Sequence, residues 1–447
     1  MTLPATPWRD ARAPLPRAWP PPPSASTAEV LRAVRAHDRH GDALHVLASV
    51  AFVFLCGLDQ APSAIGLAIL LSVAGVRFVV HPVLLTPLLR WTPFWLGLAW
   101  VAWSALSAMW SPQGSAALDA LSPQRALLAA VALFPVIDRA RPLAWALVLA
   151  ASLNASVQVA QRVGWVDPPN GPTWRPAGIV ALPSVAAING GIALILALGL
   201  AVHARAAVKC ALVALAALCA AGIVITSSRH PALSLVCALL LEGAILAAAG
   251  HVRLRTLGIA AAMLAALGGT ALALVGGDFL RYLADAQRDA AASARGEVGF
   301  SSIHLRFFWW RVAAEQWLAH PLAGGGLGSF PDFLASHAGT AEFIDRSGID
   351  RAEVLQRHPH SSYLRALAET GAVGFLLFAG LLWSCVRRGL RAAARDPLAG
   401  AATAALVFVA IATAGECVEL MNVAYGPAVV VAAIAALPRA IEARPRV

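Results

Sequence analysis

Five histidines share one polar stretch of this chain: His304, His320, His337, His358 and His360. Imidazole titrates near neutrality, so a neutral His can act as a general base at pH 7, and it is also a common metal ligand. Spacing gives the metal little support. The stretch holds no HExxH and no DxD, and the chain holds no CxxC. His358-Pro-His360 as a ligand pair is the weaker alternative. Arginine is the second resource, always charged and able to grip a phosphate or carboxylate with two N–H groups. Arg229 closes an apolar run at Thr226-Ser-Ser-Arg229. A cation beside hydrocarbon is costly, so it has a partner or a function. Arg306 and Arg311 lie in the same polar stretch as the histidines.

Membrane helices must hold these groups. Of 447 residues, 59% are hydrophobic and 13% charged, and mean hydropathy is +0.70. A soluble domain carries about 25% charged residues, so a soluble enzyme, a disordered chain and a fibrous protein are excluded. Crossing a bilayer takes roughly 20 apolar residues. Twelve candidate spans follow, near 43–58, 63–80, 91–110, 124–137, 142–160, 184–202, 208–226, 231–250, 256–276, 371–386, 397–414 and 424–437. No ten-residue alternation is present, so an outer-membrane barrel is not expected. The fold class is an all-α polytopic membrane protein. Residues 43–276 hold spans 1–9 and residues 371–437 hold spans 10–12.

Charge orients these spans. The formal net charge is +10, and Lys209 is the only lysine. His203-Ala-Arg205, Arg253, Arg255, Arg387, Arg388, Arg391, Arg395 and the 438–447 tail fall on one side. The opposite short loops carry Arg125, Arg162, Arg175 and Arg229. This is the positive-inside bias, so both termini are expected in the cytoplasm. Trp91 and Trp110 bracket the third span as interfacial anchors would. Residues 1–42 form a Pro/Arg-rich cytoplasmic tail without the apolar core of a signal peptide. Within it, Ser26 and Glu29 suit a capping box, and Val30, Leu31 and Val34 suit a helix lying on the inner leaflet. The six cysteines sit in or beside apolar segments and suggest no disulfide framework. Glu242, inside the eighth span, should point into the bundle.

Residues 277–370 form the one long polar segment after the tail, on the external side. Nine Arg balance eleven Asp plus Glu, which gives no basic patch for nucleic acid. Its aromatic content argues against disorder. Residues 303–319 read as an aromatic helix at the membrane surface. Gly324, Gly325, Gly326 and Gly328 read as a tight turn, with phosphate cradling the lesser alternative. Residues 361–370 read as a helix leading into span 10, with Glu369 and Gly371 at the junction.

Two strings here resemble a known family. Arg306-Phe-Phe-Trp-Trp310 followed by His320-Pro-Leu-Ala-Gly-Gly-Gly326-Leu-Gly328-Ser-Phe330 is similar to the R-x-x-x-W … hP-l-x-G-x-G-x-g-x-F signature of the O-antigen ligase and polymerase superfamily. His360-Ser-Ser-Tyr-Leu364 with Glu369-Thr-Gly371-Ala-Val-Gly374 resembles its H-[NS]-x-x-L … E-x-G-x-x-G signature, and Arg229 its S-R motif. Ser361 stands where Asn is common, and His230 and Pro231 stand where small residues are usual. The related ligases have twelve spans and a large, mainly helical periplasmic loop between the ninth and tenth. Polymerases often carry two R-x10-G motifs; Arg288 to Gly299 is the single match here.

The resemblance implies a bacterial inner-membrane O-antigen ligase with its active site facing the periplasm. Such an enzyme moves O-antigen polysaccharide from undecaprenyl diphosphate to a hydroxyl of lipid A–core, in contact with the phospholipid membrane and without metal or cofactor. The leaving diphosphate needs cations rather than a general acid, which assigns Arg229 and Arg306 to phosphate. The acceptor hydroxyl needs a base, which assigns His360. Arg311, His358 and Tyr363 are supporting candidates. The rivals are a polymerase or a protein O-oligosaccharyltransferase using the same donor. In another class stands a secondary transporter with Glu242 and Asn189 at its midplane.

Overall fold

The computed structural model describes residues 19–22, 24–168, 175–180, 182–253, 302–356, 358–418 and 422–436, with short pieces between 284 and 295. Among these residues every regular element is helical. The chain starts with α1 (Thr27–His37), where Ser26 and Glu29 form the expected capping box. The expected leaflet-bound helix is corrected: Val30, Leu31 and Val34 are buried against Leu84. An apolar stripe already covered by protein has nothing left for lipid.

Three elements follow: α2 (Arg39–Cys56), α3 (Gln60–Val80) and the short α4 (Leu85–Leu89). Next come α5 (Thr92–Ser107), α6 (Leu127–Leu133) and α7 (Ala140–Arg162). Span 124–137 is helical but not uniformly α. Its α-helical part is the seven-residue α6, flanked by 3₁₀ stretches Gly114–Ala126 and Phe134–Arg139. Pro135 has no N–H to continue an α ladder, and the backbone tightens there. Trp91 is also corrected as an interfacial anchor. It is buried and donates its indole N–H to the Ala436 carbonyl.

The bundle continues with α8 (Pro183–Ala201), α9 (Ala206–Thr226) and α10 (Arg229–Ala248). Span 256–276 lies outside the described residues. α8 is the axis of the core and is buried on nearly all sides. Gly199 lets a neighbour in closely, because an added Cβ would sit 2.2 Å from the Ala401 Cβ. Four helices then build a second, smaller core: α11 (Ser302–Ala319), α12 (Phe330–Ser336), α13 (Ala338–Ser347) and α14 (Arg351–Val354). Phe308, Trp309 and Val312 of α11 meet Phe330, Leu334 and Phe343 there. Phe308 and Trp309 thus face protein, at roughly 1.5–3 kcal/mol of hydrophobic stabilisation per large side chain buried, while Phe307, on the other side of α11, stays exposed. The chain closes with α15 (Ser362–Ala393), α16 (Pro397–Ala412) and α17 (Asn422–Ala436).

Seven helical stretches among the described residues are long and apolar enough to cross a membrane, Gln124–Arg162 among them. Pro397–Ala412 and Tyr425–Ala436 are shorter apolar helices. Glu242 is buried inside the bundle, as its position in an apolar helix demands.

One end of the bundle carries a paired charge network. Arg77 reaches Asp38 and Asp42, and Arg139 reaches Asp42. Arg35 joins Asp42 and Asp138. These groups lie where α7 begins. The last turns of α7 lie at the other end, where Gln158 packs against Gly222 near the end of α9.

Candidate functional site

The site is assembled at that other end, around the turn between α16 and α17. Arg306 projects from the first turns of α11. Its Nη1 donates to the Gly415 carbonyl at 2.7 Å, and its Nη2 donates to Glu416 Oε1 at 2.9 Å. His360 presents Nδ1 to the other oxygen of the same carboxylate, at 3.4 Å. One carboxylate thus joins the guanidinium and the imidazole. Trp309, a helical neighbour of Arg306, stacks on the His360 ring at 4.9 Å between centroids and 21° between planes. Its indole N–H is anchored on the Val354 carbonyl at 2.8 Å.

The His-Ser-Ser segment is fixed by its neighbours. His360 has φ +51, in the left-handed region, where a non-glycine residue costs on the order of 1–3 kcal/mol. Ser361 caps α15 through its hydroxyl. The Ser362 N–H donates to the Thr413 carbonyl at 2.9 Å, and its hydroxyl to the Glu416 carbonyl at 3.1 Å. His358 Nδ1 accepts the His360 N–H at 3.3 Å. Burial above all, with the nearby Arg365 charge adding to it, pushes His358 down to about 3. It is a neutral acceptor. Burial pushes the Glu416 carboxyl up, but the hydrogen bond from His360 and the Arg306 charge outweigh it and hold it below its usual range. Glu416 is therefore the fixed anion of the cluster.

Exposure separates the three side chains. Glu416 keeps 6%, while Arg306 keeps 27% and His360 23%. The carboxylate is enclosed, and its two partners face open space. Among the described residues no hydrogen bond holds His360 Nε2.

α10 brings His230, the residue after Arg229, to the same turn. Arg229 is the first residue of α10, and His230 packs against Gly415: a Cβ added there would lie 2.9 Å from the ring. Arg311 lies elsewhere, exposed, paired with Glu315 at 3.7 Å and lying over Phe308. Tyr363 donates its hydroxyl to the Ala410 carbonyl and packs near Phe375 and Phe378. Among the described residues no group of three or more His, Cys, Asp or Glu is arranged to hold a metal ion.

The glycine loop braces α15. Gly371 has φ +66 and breaks that helix. The Gly325 and Gly326 N–H groups donate to the carbonyls of Ala368 and Glu369 at 2.8 and 3.0 Å. The Ala372 N–H in turn finds the Pro321 carbonyl at 2.9 Å. Side chains would not fit: a Cβ on Gly371 would sit 2.2 Å from the Leu322 carbonyl oxygen. The cradling alternative, made for the amides of Gly324, Gly326 and Gly328, loses two of the three: Gly326 donates as above and the Gly324 N–H donates to the His320 carbonyl at 2.9 Å.

Glu416 is the residue that sequence reasoning missed. The signal available was slight: two carboxylates, Glu416 and Glu419, in an otherwise apolar turn.

A helical bundle with several membrane-crossing helices, and an Arg–carboxylate–His cluster at one end, defines a multi-pass membrane protein with a polar site at a bundle face. Residues 213–379 match the family model described as O-antigen ligase, which supports membership of the O-antigen ligase and polymerase superfamily. The matched span includes Arg229, Arg306 and His360 and ends before Glu416. No curated protein matches the chain. Members of the family are lipid-linked glycan transferases, either ligases or polymerases.

Proposed function

We propose that this chain is an O-antigen ligase, which transfers O-antigen polysaccharide from undecaprenyl diphosphate to a hydroxyl of lipid A–core at the periplasmic face of the inner membrane. The observation that carries this reading is the carboxylate shared by Arg306 and His360. It sets an imidazole and a guanidinium side by side, one suited to the incoming alcohol and the other to the departing phosphate.

The carboxylate of Glu416 takes the Nδ1–H of His360, which leaves the Nε2 lone pair for the acceptor hydroxyl. The hydroxyl oxygen attacks the anomeric carbon as its proton passes to Nε2. The bond from that carbon to the phosphate oxygen breaks, with inversion, and undecaprenyl diphosphate leaves as an anion. Arg306 and Arg229 neutralise that charge, with planar guanidinium groups matched to phosphate oxygens. Base catalysis supplies about 10²–10⁴-fold, and positioning and electrostatics supply the rest. An apolar cavity of about 430 Å³, lined by Trp100, Phe378, Val409 and Tyr425, reaches Thr413 and Val418 on either side of Glu416. It suits the isoprenoid chain of the donor.

A lipopolysaccharide gel tests the reading. A deletion strain should lose all capped core, and the wild-type gene should restore it while His360→Ala, expressed to the same level, should not. Core carrying one added repeat in the deletion strain would indicate a polymerase instead. Full capping by the His360→Ala protein would remove the base assignment.

A further inference from the structure

We propose that Arg175 is a positioning residue for Arg229, acting by locking the turn from which Arg229 projects. The inference rests on the assignment of Arg229 to the donor's diphosphate. Between α9 and α10 the chain reverses through Ser227, a non-glycine residue at φ +50. L-residues hold that conformation only where their surroundings over-determine it. Arg175 comes from a different part of the chain and grips both sides of the reversal. Its Nε donates to the Thr226 carbonyl at 2.9 Å, and its Nη2 donates to the Ser228 hydroxyl at 3.2 Å. The first contact serves a carbonyl that the end of α9 leaves without a helical donor. The second engages the residue that precedes α10, whose hydroxyl makes no capping bond to the helix. Inside the turn, Thr226 Oγ1 accepts the Ser228 N–H at 3.3 Å and donates to the Ile223 carbonyl at 2.7 Å. Arg229 follows at once as the first residue of α10. Its direction is therefore set by a turn that Arg175 spans like a staple. A single lysine ammonium cannot reproduce a two-point planar grip. Arg175 lies outside the matched family span.

The test is direct binding of undecaprenyl diphosphate to the full chain in nanodiscs, with transfer to lipid A–core measured in parallel. Arg229→Ala and Arg175→Ala should each weaken binding about 10-fold or more, and the double variant should bind no worse than Arg229→Ala alone, because a residue acting only through another adds nothing once that one is gone. Arg175→Lys should not rescue, and the acceptor KM should be unchanged. If Arg175→Ala does not fold, Ser228→Ala removes one of the two contacts and should weaken binding by a smaller factor. Wild-type binding by Arg175→Ala or by Ser228→Ala, or multiplicative losses in the double variant, would overturn the positioning role. His360→Ala marks the other failure: it should bind donor normally and transfer about 10²–10⁴-fold more slowly, and normal transfer by it would count against the catalytic reading while leaving the Arg175 result to stand.

Discussion

The two ends of the bundle contain the same three kinds of side chain in different states of completion. At the start of α7, His45 donates Nε2–H to the Ala132 carbonyl at 2.7 Å, while Nδ1 faces Arg77 at 3.1 Å. Both ring nitrogens are occupied, and the Arg77 side chain is only 4% exposed, between Asp38 and Asp42. Around Glu416 the corresponding histidine keeps one nitrogen open and the arginine faces open space. A buried cluster whose charges are all paired with one another is structural, and removing one partner leaves an uncompensated charge. A cluster with an enclosed anion and two open partners has capacity left for a ligand. The difference lies in closure, since composition is shared.

Matched substitutions at the two ends sharpen this contrast. The largest effect is expected at the imidazoles. His360→Ala should slow transfer by about 10²–10⁴-fold, whereas His45→Ala should leave kcat within about twofold and lower thermal stability by about 1–3 kcal/mol, the cost of an unpaired buried group. Steady-state kinetics and melting curves in detergent separate the two. Next are the guanidinium groups. Arg306→Lys keeps the charge but loses the fork, and kcat/KM should fall by about 10–10², with melting temperature nearly unchanged. Arg77→Lys should show the reverse.

Backbone and pH effects come third. Gly371→Ala puts a Cβ against a carbonyl oxygen at positive φ and should cost about 1–3 kcal/mol of stability. Acid should weaken the site end through His358 and Glu416 alike. The folded protein keeps His358 neutral down to about 3, so the unfolded chain binds more protons once pH falls below the ordinary His value of about 6.5. Stability is thus lost as pH drops from there, by up to about 2 kcal/mol at pH 5. Glu416, held below its usual range, adds stability that is present above that range and lost as pH falls through its folded value. Melting temperatures at pH 7 and 5 should diverge less in His358→Gln than in the parent. The smallest effect belongs to Arg311→Ala. Its guanidinium is 60% exposed, and both activity and stability should stay within about 0.5 kcal/mol.

Much of the scaffold was legible in the sequence because a bilayer demands long apolar runs, and α8, α9 and α10 follow theirs closely. The break at α6 was not, since an apolar run by itself does not separate a 3₁₀ stretch from an α-helix. Arg306 and His360 were legible because each opens a motif. Glu416 was hidden by distance: 110 residues from Arg306 and 56 from His360, it meets them only through the packing of α11, α15 and α16. The glycine loop misled in a similar way. Its pattern signals a turn, but its partners are carbonyls released by a kink in another helix. Arg175 carried only a topological signal, an arginine on the sparsely charged side.

The central claim is that one enclosed carboxylate holds a guanidinium and an imidazole ready for a phosphate and an alcohol. Single-turnover transfer by the purified chain, from a synthetic undecaprenyl-diphosphate-linked glycan to lipid A–core, tests it most directly when Glu416→Gln is compared with the parent. The account predicts a slower chemical step, by about 10–10²-fold, at saturating donor and acceptor, with a folded protein whose melting temperature at neutral pH is lowered by loss of the carboxylate's contribution. Parental rates in Glu416→Gln would contradict it.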